Sequence, residues 1–542
     1  MKNYKNIILS FLIASVTLVA CDDIFEVDPE EVLLKEDYLG DDELDARASL
    51  FGVLSLMQDA TEQYFVWGEM RADLVDVTDQ TEDELRQIAL HQNDEDNSYL
   101  DPTLLYSIVN NCNYGLEGID TVAYDNDLLD EYVSILRVRT WAQLQIAINF
   151  GELPFITSPI ESSDDLTKEY PLLSLPVAMD SLINALLPYS NIESIDADDY
   201  VSSQGAYLYR MVPNNNILLG ELYLWRQNYT MAATYYKMYL DEVVTSGTSA
   251  YNLTTSYGII HSENNGNYTT SNAWENLFSS STSELIFYTY YTEDYRQYNN
   301  LYDNLEEQVI PSEAINLNWS VQENIYDGVV FSEGDFRASV MFEDQNPDDA
   351  ISKLDTDFYK YDRVSRVYLR LAEAINAAGY PAHALYIINN GLLNESGDYP
   401  QFSGNAQAFL NFDPDKYYVL NSSGVATSGN LGIRGRAGLA PVTVEGATSL
   451  SDSIKQVDAL ILNEAALELA FEGTRWPDLV RSALRNNDAS IVADAVAAKF
   501  TAAGDLSTAE VLRTTLSNSE NWFLPLTIPS NFISYDEEEE VE

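Results

Sequence analysis

The first residue whose surroundings specify a chemistry is Cys21. Lys2 and Lys5 precede an unbroken run of apolar or small residues, Ile7 to Ala20, and Leu18-Val19-Ala20-Cys21 has the small, apolar character of a lipoprotein processing site. The run falls well short of the roughly 20 apolar residues that a spanning helix needs. Residues 1–20 therefore read as a signal peptide and Cys21 as the lipidated first residue of the mature chain; an ordinary secretory peptide beside an incidental cysteine is the weaker reading. Acid–base and nucleophilic chemistry find less support. His91, His261 and His383 are the only histidines and Cys112 the only other cysteine, and neither a Ser/His/Asp arrangement nor a His/Cys zinc site has a recognisable spacing. His383 reads as a surface or packing residue. A glycoside hydrolase needs two carboxylates flanking the scissile bond, and among 87 acidic residues any chosen pair is uninformative. Asp196, Asp198 and Asp199, or Asp125 and Asp127, offer oxygens to calcium but lack ordered loop spacing, so solvated charge is preferred. The expectation is no catalytic residue, no metal ligand and no cofactor.

The elements that must carry any site come from composition and periodicity. With 46% hydrophobic residues in a chain of 542, residues 21–542 can bury a large core as a single body. Cys112 has no partner in the mature chain, so stability comes from packing, with Cys112 itself as a small buried hydrophobe. Acidic residues outnumber basic ones 87 to 28, and a net charge of -59 argues against nucleic acid or an anionic membrane face as ligand. The run Asp536 to Glu540 reads as a solvated tail. Periodicity near 3.6 dominates: Val133, Leu136, Thr140, Leu144, Ala147 and Ile148 form one amphipathic stripe, and residues 44–59 form another helical pattern. Gly220-Glu221-Leu222 followed by Ala232-Ala233, and Ala372-Glu373-Ala374 followed by Ala384-Leu385, repeat a small residue twelve positions on, as closely packed antiparallel helices require. Helical hairpins of tetratricopeptide type are expected near 205–245, opening at Pro213, and near 361–394, turning at Gly379-Tyr380-Pro381. Residues 247–345 and 395–450, rich in Ser, Asn, Thr and Gly, read as loops, and the aromatic content of the first favours function over disorder.

Several segments together resemble the SusD/RagB family of surface lipoproteins. They are Gly68-Glu69-Met70-Arg71-Ala72-Asp73, the helix Trp141 to Phe150 followed by Gly151-Glu152-Leu153-Pro154-Phe155, and Gly334-Asp335-Phe336-Arg337. Leu371-Ala372-Glu373-Ala374 and Arg434-Gly435-Arg436-Ala437-Gly438-Leu439 follow, and the most specific is Leu467 to Leu479, which reads LELAFEGTRWPDL. Leu524 to Pro529 resembles the closing Pro-rich segment, so the C-terminal motifs occupy 430–542. Two departures stand out: Asn463-Glu464-Ala465-Ala466 replaces an acidic-Arg-Arg opening, and some forty residues separate the second hairpin from Arg434. Within the strongest motif, Glu472, Arg475 and Asp478 read as structural charges able to pair among themselves and cap neighbouring helices.

The resemblance implies a mainly α fold, with tetratricopeptide-like hairpins supporting a loop-rich irregular lobe, that binds and does not turn over its ligand. It implies an outer-membrane, surface-facing protein working with a TonB-dependent transporter of the SusC type, its ligand an oligosaccharide or, as in the RagB branch, a peptide. A glycoside hydrolase and a protein-only scaffold are the rival readings. The resemblance also directs ligand contacts to an early and a central region. Flat rings there suit the C–H faces of sugars, and the candidates are Tyr64 and Trp67 with Trp274, Tyr290, Tyr291, Tyr295 and Trp319. Arg71, Asp73 and Asn318 are the polar groups expected to orient the ligand.

Overall fold

The computed structural model describes residues 43–92, 94, 96–122, 128–195, 208–245, 253, 258–264, 267–278, 284–291, 300–341, 350–392, 408–412, 419–420, 426–427, 431–526 and 531–535. Cys21 and the signal peptide, Tyr295, the acidic groups considered for calcium and the acidic tail lie outside them. The longer helices are α1 Glu43–Asp59, α2 Thr103–Gly118, α3 Leu129–Phe150, α4 Leu175–Leu186, α5 Asn215–Trp225 and α6 Tyr229–Thr245. They continue with α7 Glu313–Ser320, α8 Val364–Ala377, α9 Pro381–Asn390, α10 Leu450–Glu468, α11 Arg475–Asn486, α12 Ser490–Ala502 and α13 Leu506–Leu516. Helix dominates, and among the described residues no helix is long and apolar enough to cross a membrane.

α1, α2 and α3 pack together, with Leu50, Val53, Leu54 and Met57 of α1 and Leu105, Ile108, Val109 and Cys112 of α2 all in one core. Burial pushes the Cys112 thiol far up, so it stays protonated and packs as a hydrophobe. α3 corrects the expectation of a single amphipathic stripe: 19 of its 22 residues are buried, which makes it a central helix enclosed on every side. Its polar side chains find partners, as in Arg139 Nη1 to Asn113 Oδ1 at 2.9 Å and Asn149 Nδ2 to Gln145 O at 2.9 Å. It stops at Gly151, whose left-handed φ of 79° and close approach to the Phe523 ring both exclude a Cβ.

The two expected hairpins are α5 with α6 and α8 with α9. In the first, a Cβ on Gly220 would lie 2.8 Å from Cε1 of Tyr236, so the glycine is what lets the helices close. The hairpin starts later than expected. Asn214, not Pro213, sets its N-terminus, because the Asn214 Oδ1 accepts from the amides of Asn216 and Ile217 at 2.9 and 3.2 Å. In the second, Gly379 turns the chain at a φ of 101° and Pro381 opens α9. These four helices share a second apolar cluster with α10.

The central region corrects the sequence expectation most. Its described parts are short strands and helices: hairpins Ile259–Asn264 with Asn267–Asn272 and Asn324–Tyr326 with Val329–Phe331, strand β1 Leu285–Tyr290, and α7. β1 pairs antiparallel with β2, Phe358–Arg363, through a register shift near Asp362. Strands this short, two pairs formed by neighbours along the chain and β1 paired with a segment some seventy residues on, leave no periodic signature in composition. In the early region Tyr64 and Trp67 lie on helix, since Thr61–Phe65 is α-helical and Val66–Met70 continues as a π-helical turn.

Candidate ligand-binding site

The segments that looked most distinctive are wired to one another. A Cβ on Gly68 would fall 1.9 Å from the carbonyl oxygen of Gly473, so two segments 405 residues apart touch backbone to backbone. Beside that contact, Glu69 Oε1 accepts the Thr474 amide at 3.1 Å, at the N-terminus of α11. Burial pushes this carboxyl up to about 8, against the pull of the Thr474, Arg475 and Gly473 amides. Arg71 lies 4.4 Å over the Trp476 ring and donates to the Trp522 carbonyl. Asp73 takes a bidentate bond from Arg475, at 2.6 Å from Nε and 2.8 Å from Nη2. Arg71 and Asp73, two of the three polar groups expected to orient a ligand, are therefore structural. Burial and their own partners occupy them.

A buried ion network sits behind that joint. Glu468 accepts from three arginines, Arg363 Nη1 at 2.6 Å, Arg436 Nη2 at 2.7 Å and Arg337 Nη1 at 2.7 Å. Burial alone would raise its carboxyl, and Arg363, Arg436 and Arg337 hold it well below the usual range instead. Glu472 binds Arg363 and Lys353, Asp335 binds Arg337, and Arg436 also reaches Glu284. Glu472, Arg475 and Asp478 thus do not pair among themselves, as their spacing suggested. Each reaches a different segment, Asp478 pairing with Arg370 at 2.5 Å and Arg481 at 3.0 Å. The altered opening Asn463-Glu464 is also engaged: Glu464 takes Arg434 Nη1 at 2.6 Å.

Most of the predicted aromatic platforms are core residues. Trp67 donates from Nε1 to the Tyr99 carbonyl at 2.6 Å and packs edge-on to Phe150. Trp274 is fully buried against Phe278, with Lys353 and Arg363 above its ring. Trp319 is buried against Phe471. Tyr64 lies among Trp141, Tyr359 and Tyr361. Tyr291 is buried, donating to the Gln58 carbonyl at 3.0 Å, with Thr61 Oγ1 at 2.7 Å. A ring whose faces are covered by protein has none left for a ligand, so all five are corrected as platforms. Asn318 is half-buried and donates to Asn463 Oδ1 at 2.8 Å, which ties α7 to α10. The histidines are also interior: His91 packs 4.9 Å from Trp476 with burial lowering it to about 3, and His383 is buried beside Tyr380.

Tyr290 is the predicted ring that lines a pocket. It is half-buried at the end of β1 and lies nearly flat on Phe358, with centroids 4.7 Å apart and planes at 23°. The pocket beside it has a volume of about 260 Å³. α1 supplies Phe51, Leu54, Ser55 and Gln58, and Leu208 and Met211 close the side. Gln58 Nε2 donates to the Tyr290 carbonyl at 2.5 Å, which fixes the strand end against the helix. The pocket joins α1 to the end of β1, and Tyr290 is the one of its lining residues named from the sequence. Phe51, Leu54, Leu208 and Met211 were missed because an apolar residue on a helix looks the same whether it faces the core or a pocket.

This arrangement defines a mainly α protein in which helical hairpins brace an irregular lobe around a buried ionic spine. Residues 421–536 match the model of the SusD family. A SusD-like protein of Formosa agariphila is 26% identical over 211 residues, an alignment covering 38% of this chain and 41% of that protein, so less than half of the relative's length is spanned. A SusD superfamily protein from Bacteroides vulgatus has the same fold, with a TM-score of 0.59 at 14% identity over 89% of this chain and 95% of that one. A SusD-like carbohydrate binding protein from Bacteroides fragilis superposes with a TM-score of 0.54 at 13% identity, covering 83% and 88%. The chain is thus similar to the SusD family over its C-terminal segment and shares the fold of SusD superfamily structures.

Proposed function

We propose that this chain is a lipid-anchored outer-membrane protein that binds oligosaccharide at the Tyr290 pocket and delivers it, unaltered, to a SusC-like TonB-dependent transporter. The observation that carries the binding reading is the Tyr290 ring, held flat by Phe358 at a pocket that Gln58 and Ser55 also line. A supported aromatic face with a few neutral hydrogen-bonding groups suits a sugar ring, apolar on its C–H faces and polar at its edge. A relative of the same fold is described as carbohydrate binding, which supports the ligand class. The anchor rests on Cys21, directly after the apolar run.

The test is Tyr290→Ala, with binding measured by calorimetry on oligosaccharides found to bind the native protein in an array. Losing a platform of about 100 Å² at roughly 25 cal/mol per Å² removes about 2.5 kcal/mol, a roughly seventyfold loss of affinity. Trp274→Ala should do the reverse, lowering the unfolding temperature while leaving affinity unchanged. Unchanged affinity in Tyr290→Ala would move the site elsewhere, and an array on which the native protein binds no oligosaccharide would overturn the ligand class. The anchor is tested separately: Cys21→Ala should shift the protein from the membrane fraction to the soluble one, and retention on membranes would remove lipidation as the tether.

A further inference from the structure

A second pocket, of about 490 Å³, opens where α5 turns into α6. That volume falls within the range of small-molecule sites, about 300–1,000 Å³. Four helices converge there: Tyr223 of α5 with Arg226 and Gln227 just beyond it, Tyr229 and Thr230 at the start of α6, Asp180 from α4, and Ala378 just after α8.

The lining selects a class of ligand by its charge. Arg226 Nε lies 2.9 Å from both carboxylate oxygens of Asp180, so the two charged residues of the lining neutralise each other. The other groups are two phenols, two carboxamides, a hydroxyl and a methyl, on Tyr223, Tyr229, Gln227, Asn228, Thr230 and Ala378. An ion gains little in such a site, and an apolar molecule would leave polar groups unpaired. A neutral ring carrying several hydroxyls satisfies both conditions. Tyr223 supplies a platform that is already ordered, because Tyr235 stacks beneath it with planes 10° apart and centroids at 5.4 Å. Burial, and then the nearby Asp180 carboxylate, raise the Tyr223 phenol, which keeps it a hydrogen-bond donor.

The turn itself adds an independent sign. Gln227 holds a left-handed φ of 62°, while the Asn228 amide bonds the Tyr223 carbonyl at 2.9 Å, the geometry of a helix C-terminus that usually takes glycine. The hairpins α8–α9 and α12–α13 do use glycine in their turns, at Gly379 and Gly504. A Cβ costs roughly 1–2 kcal/mol in this conformation, a cost Gln227 shares with His91, Asp327, Phe471 and Asn487. The Gln227 carboxamide lines the pocket.

From this geometry we infer that the α5–α6 turn is a second carbohydrate site, binding one or two neutral sugar units with a C–H face on Tyr223 and hydroxyls on Asp180, Arg226, Gln227 and Asn228. The inference rests on the oligosaccharide reading above.

The experiment uses the full mature chain, with maltohexaose, laminarihexaose, xylohexaose and mannohexaose as probes in calorimetry. Native protein should bind at least one of them at two sites. Tyr223→Ala should reduce the stoichiometry to one, and Tyr290→Ala should remove the other site. Gln227→Gly should weaken the second site by roughly three- to tenfold, one hydrogen bond's worth. Its unfolding temperature should stay unchanged or rise, because glycine relieves the left-handed turn. A merely structural Gln227 would show the stability change without the affinity change. One site in the native protein, or two sites retained in Tyr223→Ala, would overturn this inference while leaving the oligosaccharide reading intact. Failure of all four probes to bind the native protein would count against both, and binding of a tripeptide pool at the α5–α6 turn instead would overturn the sugar assignment.

Discussion

Glu468→Leu should be among the most damaging single substitutions in the chain. The carboxylate serves Arg337, Arg363 and Arg436, all essentially excluded from solvent, and leucine leaves each guanidinium with its share of counter-charge removed. Removing one partner of a buried pair costs about 3–5 kcal/mol. With three cations affected the loss should reach the upper end or beyond, a large part of the roughly 5–15 kcal/mol by which domains are stable. Arg513 provides the contrast, since it pairs with Asp494 at 2.9 Å in an exposed position. Arg513→Ala should leave the unfolding midpoint nearly unchanged, because solvent screens an exposed pair. Urea unfolding of both variants at pH 7 is the measurement, and a Glu468→Leu penalty no larger than that of Arg513→Ala would show that the network is not what holds the core.

Acid should weaken the same network. Against burial, which would raise them, Arg363, Arg436 and Arg337 hold Glu468 below its usual range, and in a separate cluster Arg370 and Arg481 with their neighbours do the same for Glu373 and Glu221, the last at about 2. A carboxyl depressed in the folded state contributes stability that is present above its unfolded value of about 4.3 and is lost as pH falls below it. Stability should therefore decline from about pH 4 downward, and less steeply in Glu468→Gln. Glu69 acts in the opposite sense. Its folded carboxyl, pushed up to about 8, keeps a proton that the unfolded one gives up above about 4.3, so its contribution falls as pH rises between those values.

The hairpins were legible in the sequence because their signal is local. Gly220, whose missing Cβ admits Tyr236, marks the helix contact, and Gly379 with Pro381 is the turn itself. The motif charges were legible as structural, but not their partners, since Glu468 meets arginines 131, 105 and 32 positions away. Long-range pairing also hid the strands: β1 is ordered by β2 across some seventy residues. The aromatic site failed for a related reason. Trp274 stands in a polar stretch that reads as surface, yet Phe278, Lys353 and Arg363 close over it. Composition reports the company a ring keeps along the chain, and burial depends on its company in space.

Gly473→Ala should rival the loss of Glu468, for a purely steric reason. Gly473 has a φ of 74°, where a Cβ costs roughly 1–2 kcal/mol. That Cβ would also lie 2.3 Å from Cε1 of Tyr64 and 2.9 Å from the Tyr359 hydroxyl oxygen. Tyr64 cannot swing aside, because Trp141, Tyr359 and Tyr361 enclose its ring. Overpacking adds about 1–3 kcal/mol, and the backbone has no room to absorb it, since Gly68 already rests on the Gly473 carbonyl. Gly446→Ala separates the two costs: its φ is 63° and nothing lies within 4 Å of the added carbon, so it should show the conformational part alone. The difference between the variants, measured by urea unfolding, should be at least 1 kcal/mol and should grow if Glu69 loses the Thr474 amide as the segments are forced apart. Equal penalties at the two glycines would mean that the contact between Gly68 and Gly473 adjusts freely, and that the early and late motifs are held together by Asp73 and Arg475 instead.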